Sequence, residues 1–354
     1  MDQKLIHCRN ELNRIDDHIV YLLNQRMEIA QEVASVKDRL GLPLTDGKRE
    51  EEIIYRLRSQ AKSPLLQEII DSLFSLLFRC AKGEQRFSQR KECPFGKIGI
   101  LGLGLMGGSL LKGLKAKNSH LQVMTCRLPN QDDRLAKESG LLDRQFDSLQ
   151  ELVKAVDCLI LAVPISAVPS LAHQLSKLAG RFLVLDIAGV KGEIARLFQT
   201  LSSKNIEFVA THPMAGSEKE GFQHSQAGLF IDAPWIIASH ANNTEQGLKK
   251  VAGLVEFLGA NPLQMTPAEH DRLAAAASHI PGVVAKSYLD FVLHVCPEAE
   301  QIAGPGFRSF TRIARGQSRM RQEIADANQK EIELLLHQWI KTWAFWAKTV
   351  EEEA

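Results

Sequence analysis

The run ILGLGLMGGSL, residues 100–110, decides how this chain is read. KIGIL (97–101) before it has the character of a short buried strand, and SLLKGL (109–114) after it that of a helix. Between them Gly102, Gly104 and Gly107 stand as GxGxxG. Glycines so placed permit a tight turn and close backbone approach, and the helix N-terminus that follows suits a pyrophosphate. Strand, glycines and helix in that order predict a dinucleotide-binding unit. Such units usually open on this turn, yet here nearly a hundred residues precede it.

Downstream, LQVMTC (121–126), CLILAVP (158–164), FLVLDIA (182–188) and IEFVAT (206–211) read as further strands, with helical runs between them. That alternation predicts a parallel sheet with helices on its faces. The second strand ends in Cys126-Arg127, where an NAD-binding fold usually carries an acid for the ribose hydroxyls. Asp132 and Asp133 lie farther on, after a proline. Arg127 either meets the 2′-phosphate of NADP, in which case NADP is used at least as well as NAD, or is a solvated loop residue, so the cofactor reads as NAD or NADP.

Composition bounds the rest. The chain has 354 residues, 45% hydrophobic and 24% charged, with a formal net charge of +1. That is room for two or three domains, and no global field favours nucleic acid or an anionic membrane. The six cysteines are scattered without a CxxC pair, which argues against a zinc site or a disulfide framework and for reduced thiols in the cytoplasm. The N-terminus MDQKLIHCRNELNR is charged and periodic, unlike a signal peptide, and CLILAVPISAVPSLA carries two prolines and is too short to span a bilayer.

Residues 1–40 contain neither proline nor glycine. Leu5, Leu12, Ile15, Ile19, Leu22, Ile29, Val33, Val36 and Leu40 recur at helical spacing, predicting one long amphipathic helix of about 55 Å. Such a helix is longer than a ninety-residue domain is wide, so its apolar stripe needs a partner. A second helix is expected from Asp46, a candidate N-cap, and a third from Ser63-Pro64. Cations interrupt the stripe. Arg9 follows Leu5 by four, Arg26 follows Leu22 by four, and Lys37 follows Val33 by four. Glu50 shares a face with Ile53, Ile54 and Leu57, while Gln85 continues the face of Phe74, Leu77 and Ala81. Singly, each cation can pack its stem and snorkel. Together they describe a pocket for a small dianion, because burying a charge costs several kcal/mol unless it is paired.

With these spacings, residues 4–86 resemble the all-helical chorismate mutases, which form intertwined dimers. The resemblance implies that Arg9 (from the other protomer), Arg26 and Lys37 grip the carboxylates and ether oxygen of chorismate. It further implies that Glu50 holds the hydroxyl, that Gln85 meets the ether oxygen, and that Asp46 and Arg49 lie in the pocket. Ala81 departs from the serine frequent in relatives, which weakens one substrate contact. The pericyclic rearrangement to prephenate needs no nucleophile or proton transfer; holding the compact conformer and stabilising charge on the breaking bond suffice.

Three later stretches carry chemistry. THPMAGSEKEG (211–221) sets His212 directly after a strand, with Ser217 and Glu218 in the loop beyond. SHIPG (278–282) and GPGFRSFTRIARG (304–316) follow in an otherwise helical region. From the glycine turn to about residue 345, these motifs resemble the prephenate dehydrogenases. By that resemblance His212 accepts a hydrogen bond from the ring hydroxyl, Arg312 binds a substrate carboxylate, and Glu218 and His279 line the pocket. Met106 in the turn and Pro164 at the end of CLILAVP, the third predicted strand, are counted with Gly102, Gly104, Gly107 and Arg127 as cofactor-binding. If His212 must be neutral, activity is expected to fall as pH drops past about 6.5. Two positions depart from the family. Gly189 stands in IAGVK where serine is frequent, and Arg321 stands where tryptophan is common, which bears on the choice between prephenate and arogenate.

The expected architecture is α plus α/β. It comprises a dimer-forming three-helix mutase bundle (1–90), a Rossmann-like domain (96–266) and a helical substrate and dimerisation domain (267–354). The expected function is bifunctional: chorismate to prephenate, then NAD(P)-dependent oxidative decarboxylation to 4-hydroxyphenylpyruvate, in a cytoplasmic homodimer with no metal. The competing readings are a dehydrogenase whose N-terminal bundle only dimerises, or another hydroxyacid dehydrogenase.

Overall fold

The computed structural model describes residues 3–353 apart from 43–45, 89–91, 128–129, 179, 181, 202–205, 218 and 316–317. The chain divides into two compact units, Met1–Lys91 and Glu92–Ala354.

The first unit is three helices: α1 (Gln3–Arg39), α2 (Gly47–Arg58) and α3 (Pro64–Ser88). With no proline or glycine to break it, α1 runs for 37 residues. Asp46 caps α2 by accepting a hydrogen bond from Arg49 N at 3.1 Å. Ser63 Oγ does the same for Leu66 N at 3.2 Å, with Pro64 at the first helical position, where its missing N–H costs nothing. α3 packs against both other helices, burying Ala34, Leu77, Phe78 and Ala81. Leu12, Ile15, Ile19, Leu22, Ile29 and Val33 on α1 stay exposed. Two short helices do not cover the stripe.

The second unit is built on an eight-stranded sheet in the order β3-β2-β1-β4-β5-β6-β7-β8. Its strands are β1 (Lys97–Leu101), β2 (Gln122–Cys126), β3 (Arg144–Phe146), β4 (Cys158–Leu161), β5 (Phe182–Asp186), β6 (Ile206–Pro213), β7 (Pro234–Ala238) and β8 (Asn261–Met265). Helices α4 (Leu105–Lys117), α5 (Gln131–Glu138), α6 (Leu149–Ala155), α7 (Val168–Ser176), α8 (Gly192–Leu201) and α9 (Glu245–Phe257) connect them. Apolar strand residues pack on both faces: Ile98, Ile100 and Trp235 in one core cluster, Leu159, Val184 and Phe208 in the other. A sheet buried on both sides is why its strands read as nearly continuous apolar runs.

The sheet departs from the all-parallel expectation. β3, β7 and β8 join the five strands legible in the sequence, and β7 runs antiparallel to β6. Among the described residues from Met214 to Ala233 there is no crossover helix, only turns and one tight helical turn at Phe222–His224, so the chain returns in the opposite sense. α9 then provides a crossover, and β8 lies parallel to β7.

Five helices complete the unit: α10 (Pro267–Ala274), α11 (Ile280–Val295), α12 (Pro305–Arg315), α13 (Ser318–Ala327) and α14 (Gln329–Glu353). A π-helical stretch, Ala275–His279, joins α10 to α11. Ala285, Leu289 and Ala314 form a small core with Phe307 against it. GPGFRSFTRIARG is thus mostly helix. α14 leaves Ile340, Trp343 and Phe345 exposed.

Candidate active site

The glycine turn has the conformation its sequence requires. Gly102 has φ +87°, and a Cβ there would lie 2.3 Å from Ala162 O. A Cβ on Gly107 would lie 1.8 Å from Gly102 O. Gly104 is the N-cap of α4 and brings no side-chain cap of its own. The first N–H groups of a 13-residue helix therefore face an open cradle, which fits the pyrophosphate of a dinucleotide. A cavity of about 540 Å³ begins there, lined by Gly104, Met106 and Pro164, and runs to Gly189 and His212. These are the carboxyl ends of β1, β4, β5 and β6, where ligands of such sheets bind.

Arg127 is exposed beyond β2 and pairs with Asp147, Nη1 to Oδ1 at 3.2 Å. Asp132 turns toward the glycines instead. Its Oδ2 lies 3.6 Å from where a Gly104 Cβ would be, and its Oδ1 accepts a hydrogen bond from Phe222 N at 2.7 Å.

His212 is the penultimate residue of β6, partly buried against the cavity. Its Nδ1 lies 2.9 Å from Nε2 of His270, and Nδ1 of His270 lies 2.8 Å from Oδ1 of Asp271. Asp271 also accepts hydrogen bonds from the N–H groups of Lys191 and Gly192, each at 2.7 Å. Beneath His212, the fully buried Lys191 ammonium pairs with Asp186 and donates to Thr211 O at 2.5 Å. Burial, then Lys191 and the neighbouring histidines, hold the His212 pKa well below its usual value. Burial pushes the Asp271 carboxyl up, but the hydrogen bonds from His270, Lys191 and Gly192 outweigh it and hold it below the usual value.

His279 ends the π-helical stretch and is buried. Burial, and then His270, depress its pKa to about 4. Asn328 Nδ2 stands 3.1 Å from His279 Nδ1 and donates to Asp271 O at 2.8 Å. The two departures have structural counterparts. A Cβ on Gly189 would lie 3.2 Å from Ile324 Cδ1 and 3.9 Å from His212 Cε1, so Ile324 already fills the space a side chain would use. Arg321 donates to Ile313 O and, at 2.8 Å, to Ala314 O, closing carbonyls at the end of α12. Arg312 sits exposed on α12 and is not among the residues lining the cavity. Glu218 lies outside the described residues.

Sequence reading missed His270, Asp271 and Asn328. The pair His270-Asp271 in TPAEHDR offers a weak signal, since adjacent acid and histidine on a helix are common on solvated faces.

In the helical unit, Arg26 is half-buried, its guanidinium 5.6 Å from the Phe74 ring centre and 5.3 Å from that of Phe78. Its Nη1 is buried with no hydrogen-bond partner among the described residues. Burial lowers its pKa. Lys37 and Glu50 are half-buried, whereas Arg9, Asp46 and Arg49 are exposed. Asp46 is engaged as the α2 cap, and Arg49 pairs with Glu52 at 3.1 Å. The side chain of Gln85 lies outside the described residues.

Comparison with known proteins assigns each region. Residues 8–86 match the family model for chorismate mutase type II. Residues 112–263 match that for the prephenate dehydrogenase nucleotide-binding domain, and 266–354 that for its dimerization domain. A prephenate dehydrogenase of Bacillus subtilis is 27% identical over 68% of this chain and 67% of its own length. Among solved structures, a prephenate dehydrogenase from A. aeolicus, in complex with hydroxyphenyl propionate and NAD+, aligns with a TM-score of 0.67 at 27% identity. That alignment covers 73% of this chain and 91% of that one. Synechocystis arogenate dehydrogenase aligns with a TM-score of 0.63 at 25% identity over 73% of this chain and 92% of that one.

Proposed function

The chain belongs to the prephenate dehydrogenase family, with a chorismate mutase domain ahead of the dehydrogenase, and from that premise we propose how its residues divide the two reactions. The first unit rearranges chorismate to prephenate. Arg26 is its principal anion ligand: a half-buried guanidinium with one nitrogen unpartnered among the described residues is an electrostatic site prepared for a carboxylate. Lys37, Glu50 and Gln85 complete the pocket, with Arg9 entering from a second copy. Asp46 and Arg49 serve at its rim.

The second unit converts prephenate to 4-hydroxyphenylpyruvate with loss of carbon dioxide. The observation that carries this reading is one cavity bounded at one end by a dinucleotide cradle and at the other by a histidine held neutral. When bound, NAD+ or NADP+ accepts the hydride. Gly102, Gly104 and Gly107 leave room for the pyrophosphate, while Met106 and Pro164 wall the cavity toward the nicotinamide. His212 accepts the proton of the ring hydroxyl as the carbon bearing it loses hydride, and decarboxylation then aromatises the ring. His279 and Glu218 shape the pocket. Arg312, exposed on α12 outside the cavity lining, is assigned a substrate carboxylate by the family resemblance alone.

Prephenate is proposed as the substrate, NAD as the favoured cofactor, and a cytoplasmic homodimer as the working form. The NAD preference rests on Arg127, which is engaged by Asp147, and on Asp132, whose carboxylate beside the glycine turn suits ribose hydroxyls and opposes a 2′-phosphate. The exposed stripe of α1 and the exposed aromatic face of α14 support the dimer. The test is direct: loss of chorismate absorbance without cofactor, and NAD(P)H formation from prephenate and from arogenate in parallel. Formation of neither NADH nor NADPH from either ring substrate overturns the dehydrogenase reading. Unchanged chorismate reduces the first unit to a dimerisation bundle.

A further inference from the structure

We propose that His270 and Asp271 are positioning residues that fix the tautomer of His212, leaving Nε2 of His212 as the proton acceptor. This rests on the reading of His212 as the dehydrogenase base.

The inference follows from hydrogen-bond direction. Asp271 receives two backbone N–H groups and has a depressed pKa, so it is a carboxylate and can only accept. The 2.8 Å contact with His270 therefore requires the proton on Nδ1 of His270. A His270 ring carrying only that proton presents a bare Nε2, and the 2.9 Å contact then places the proton on Nδ1 of His212. The remaining nitrogen of His212, Nε2, is left as a lone pair on the opposite edge of the ring. Without this chain of contacts either tautomer is accessible, and the wrong one presents N–H to a hydroxyl that must give up its proton.

The support is rigid. His270 and Asp271 are both buried, and Asp271 is held across the start of α8. A Cβ on Gly192 would lie 2.7 Å from Asp271 Oδ2, so glycine is what lets the carboxylate reach the backbone. The other charged or titratable groups around His212 are Lys191 with Asp186 beneath it, His279 beside it, and Glu220 and Glu323 on the cavity wall. None of these engages Nδ1 of His212. Burial and Lys191 disfavour protonation of the ring, and among the described residues His270 alone contacts Nδ1.

Two measurements on the full-length protein test this. Nitrogen-15 imidazole spectra of the wild type should show His212 at neutral pH with its proton on Nδ1. A proton on Nε2 overturns the proposal. Kinetically, His270→Leu should lower kcat about 10²-fold with KM for prephenate and the Kd of NAD+ nearly unchanged. His270→Gln, which can place a carbonyl oxygen where Nε2 stood, should recover about tenfold of that loss. Near-native turnover in His270→Leu also overturns it. Should His270→Leu fail to fold, the wild-type spectrum still decides. His212→Asn separates the two levels: if it remains active, the base assignment itself falls, whereas an inactive His212→Asn beside an active His270→Leu removes only the positioning role.

Discussion

Arg26 lies over two aromatic rings, 5.6 Å from the centre of Phe74 and 5.3 Å from that of Phe78, with one guanidinium nitrogen buried and unpartnered among the described residues. Cation–π contact of this kind holds the cation while leaving its N–H groups for a ligand. Arg26→Ala should reduce mutase activity at least about 100-fold, the scale of one lost oxyanion donor, and leave dehydrogenase turnover of supplied prephenate intact. Equal loss of both activities would make Arg26 a structural residue.

His212→Asn should cut dehydrogenase turnover about 10²–10⁴-fold without touching the mutase. The acid limb of kcat is also informative. Neutral imidazole is the active form, and burial with Lys191 nearby makes the proton harder to add, so the limb moves to lower pH. Activity should persist below pH 6.5, contrary to what an unperturbed histidine predicts. A limb at 6.5 or above would mean the ring is more solvated than its surroundings imply.

Gly107→Ala tests the cradle. The new methyl would press on the Gly102 carbonyl at 1.8 Å, and since that atom is backbone the turn must distort. NAD+ affinity should fall by about 100-fold or more, corresponding to some 3 kcal/mol, while chorismate rearrangement continues. Undiminished cofactor binding would place the pyrophosphate elsewhere.

Cofactor preference turns on the pair Arg127–Asp147. The wild type should bind NAD+ at least about tenfold tighter than NADP+, and Asp147→Ala, by releasing the arginine, should narrow the gap. Titration by fluorescence quenching reads both. Equal affinity in the wild type would return Arg127 to the 2′-phosphate.

Assembly can be tested by complementation. Arg9→Ala and Arg26→Ala proteins should each lack mutase activity, and mixing them under subunit exchange makes mixed dimers with one doubly defective and one intact pocket. With random pairing, about a quarter of wild-type activity should return by symmetry. No recovery after proven exchange would place Arg9 outside the partner's site.

What the sequence shows plainly is local chemistry. The glycine turn, the two helix caps and the proline-free run of α1 each follow from a few adjacent residues, and each forms as those residues dictate. The reversed β7 was not legible, because its direction is set by a connection without a crossover helix and not by the strand itself. Nor was the contact between His212 and His270, 58 residues apart, since the packing of α10 against α8 and β7 brings them together. Arg321 was legible only as an oddity. Its role as a cap on α12 needs the fold to be seen.

The π-helical stretch Ala275–His279 also sets a limit on how this region can change length. An α-helix advances about 100° per residue, so one additional residue in the winding turns everything after it by that amount. Asn328 spans the junction, reaching Asp271 O on one side of it and His279 on the other. Removing a single alanine from the stretch would give a better helix by every local criterion. It would also swing His279 roughly a quarter-turn away from Asn328. The irregular winding acts as a phase adjuster between two helices that must present side chains to one site.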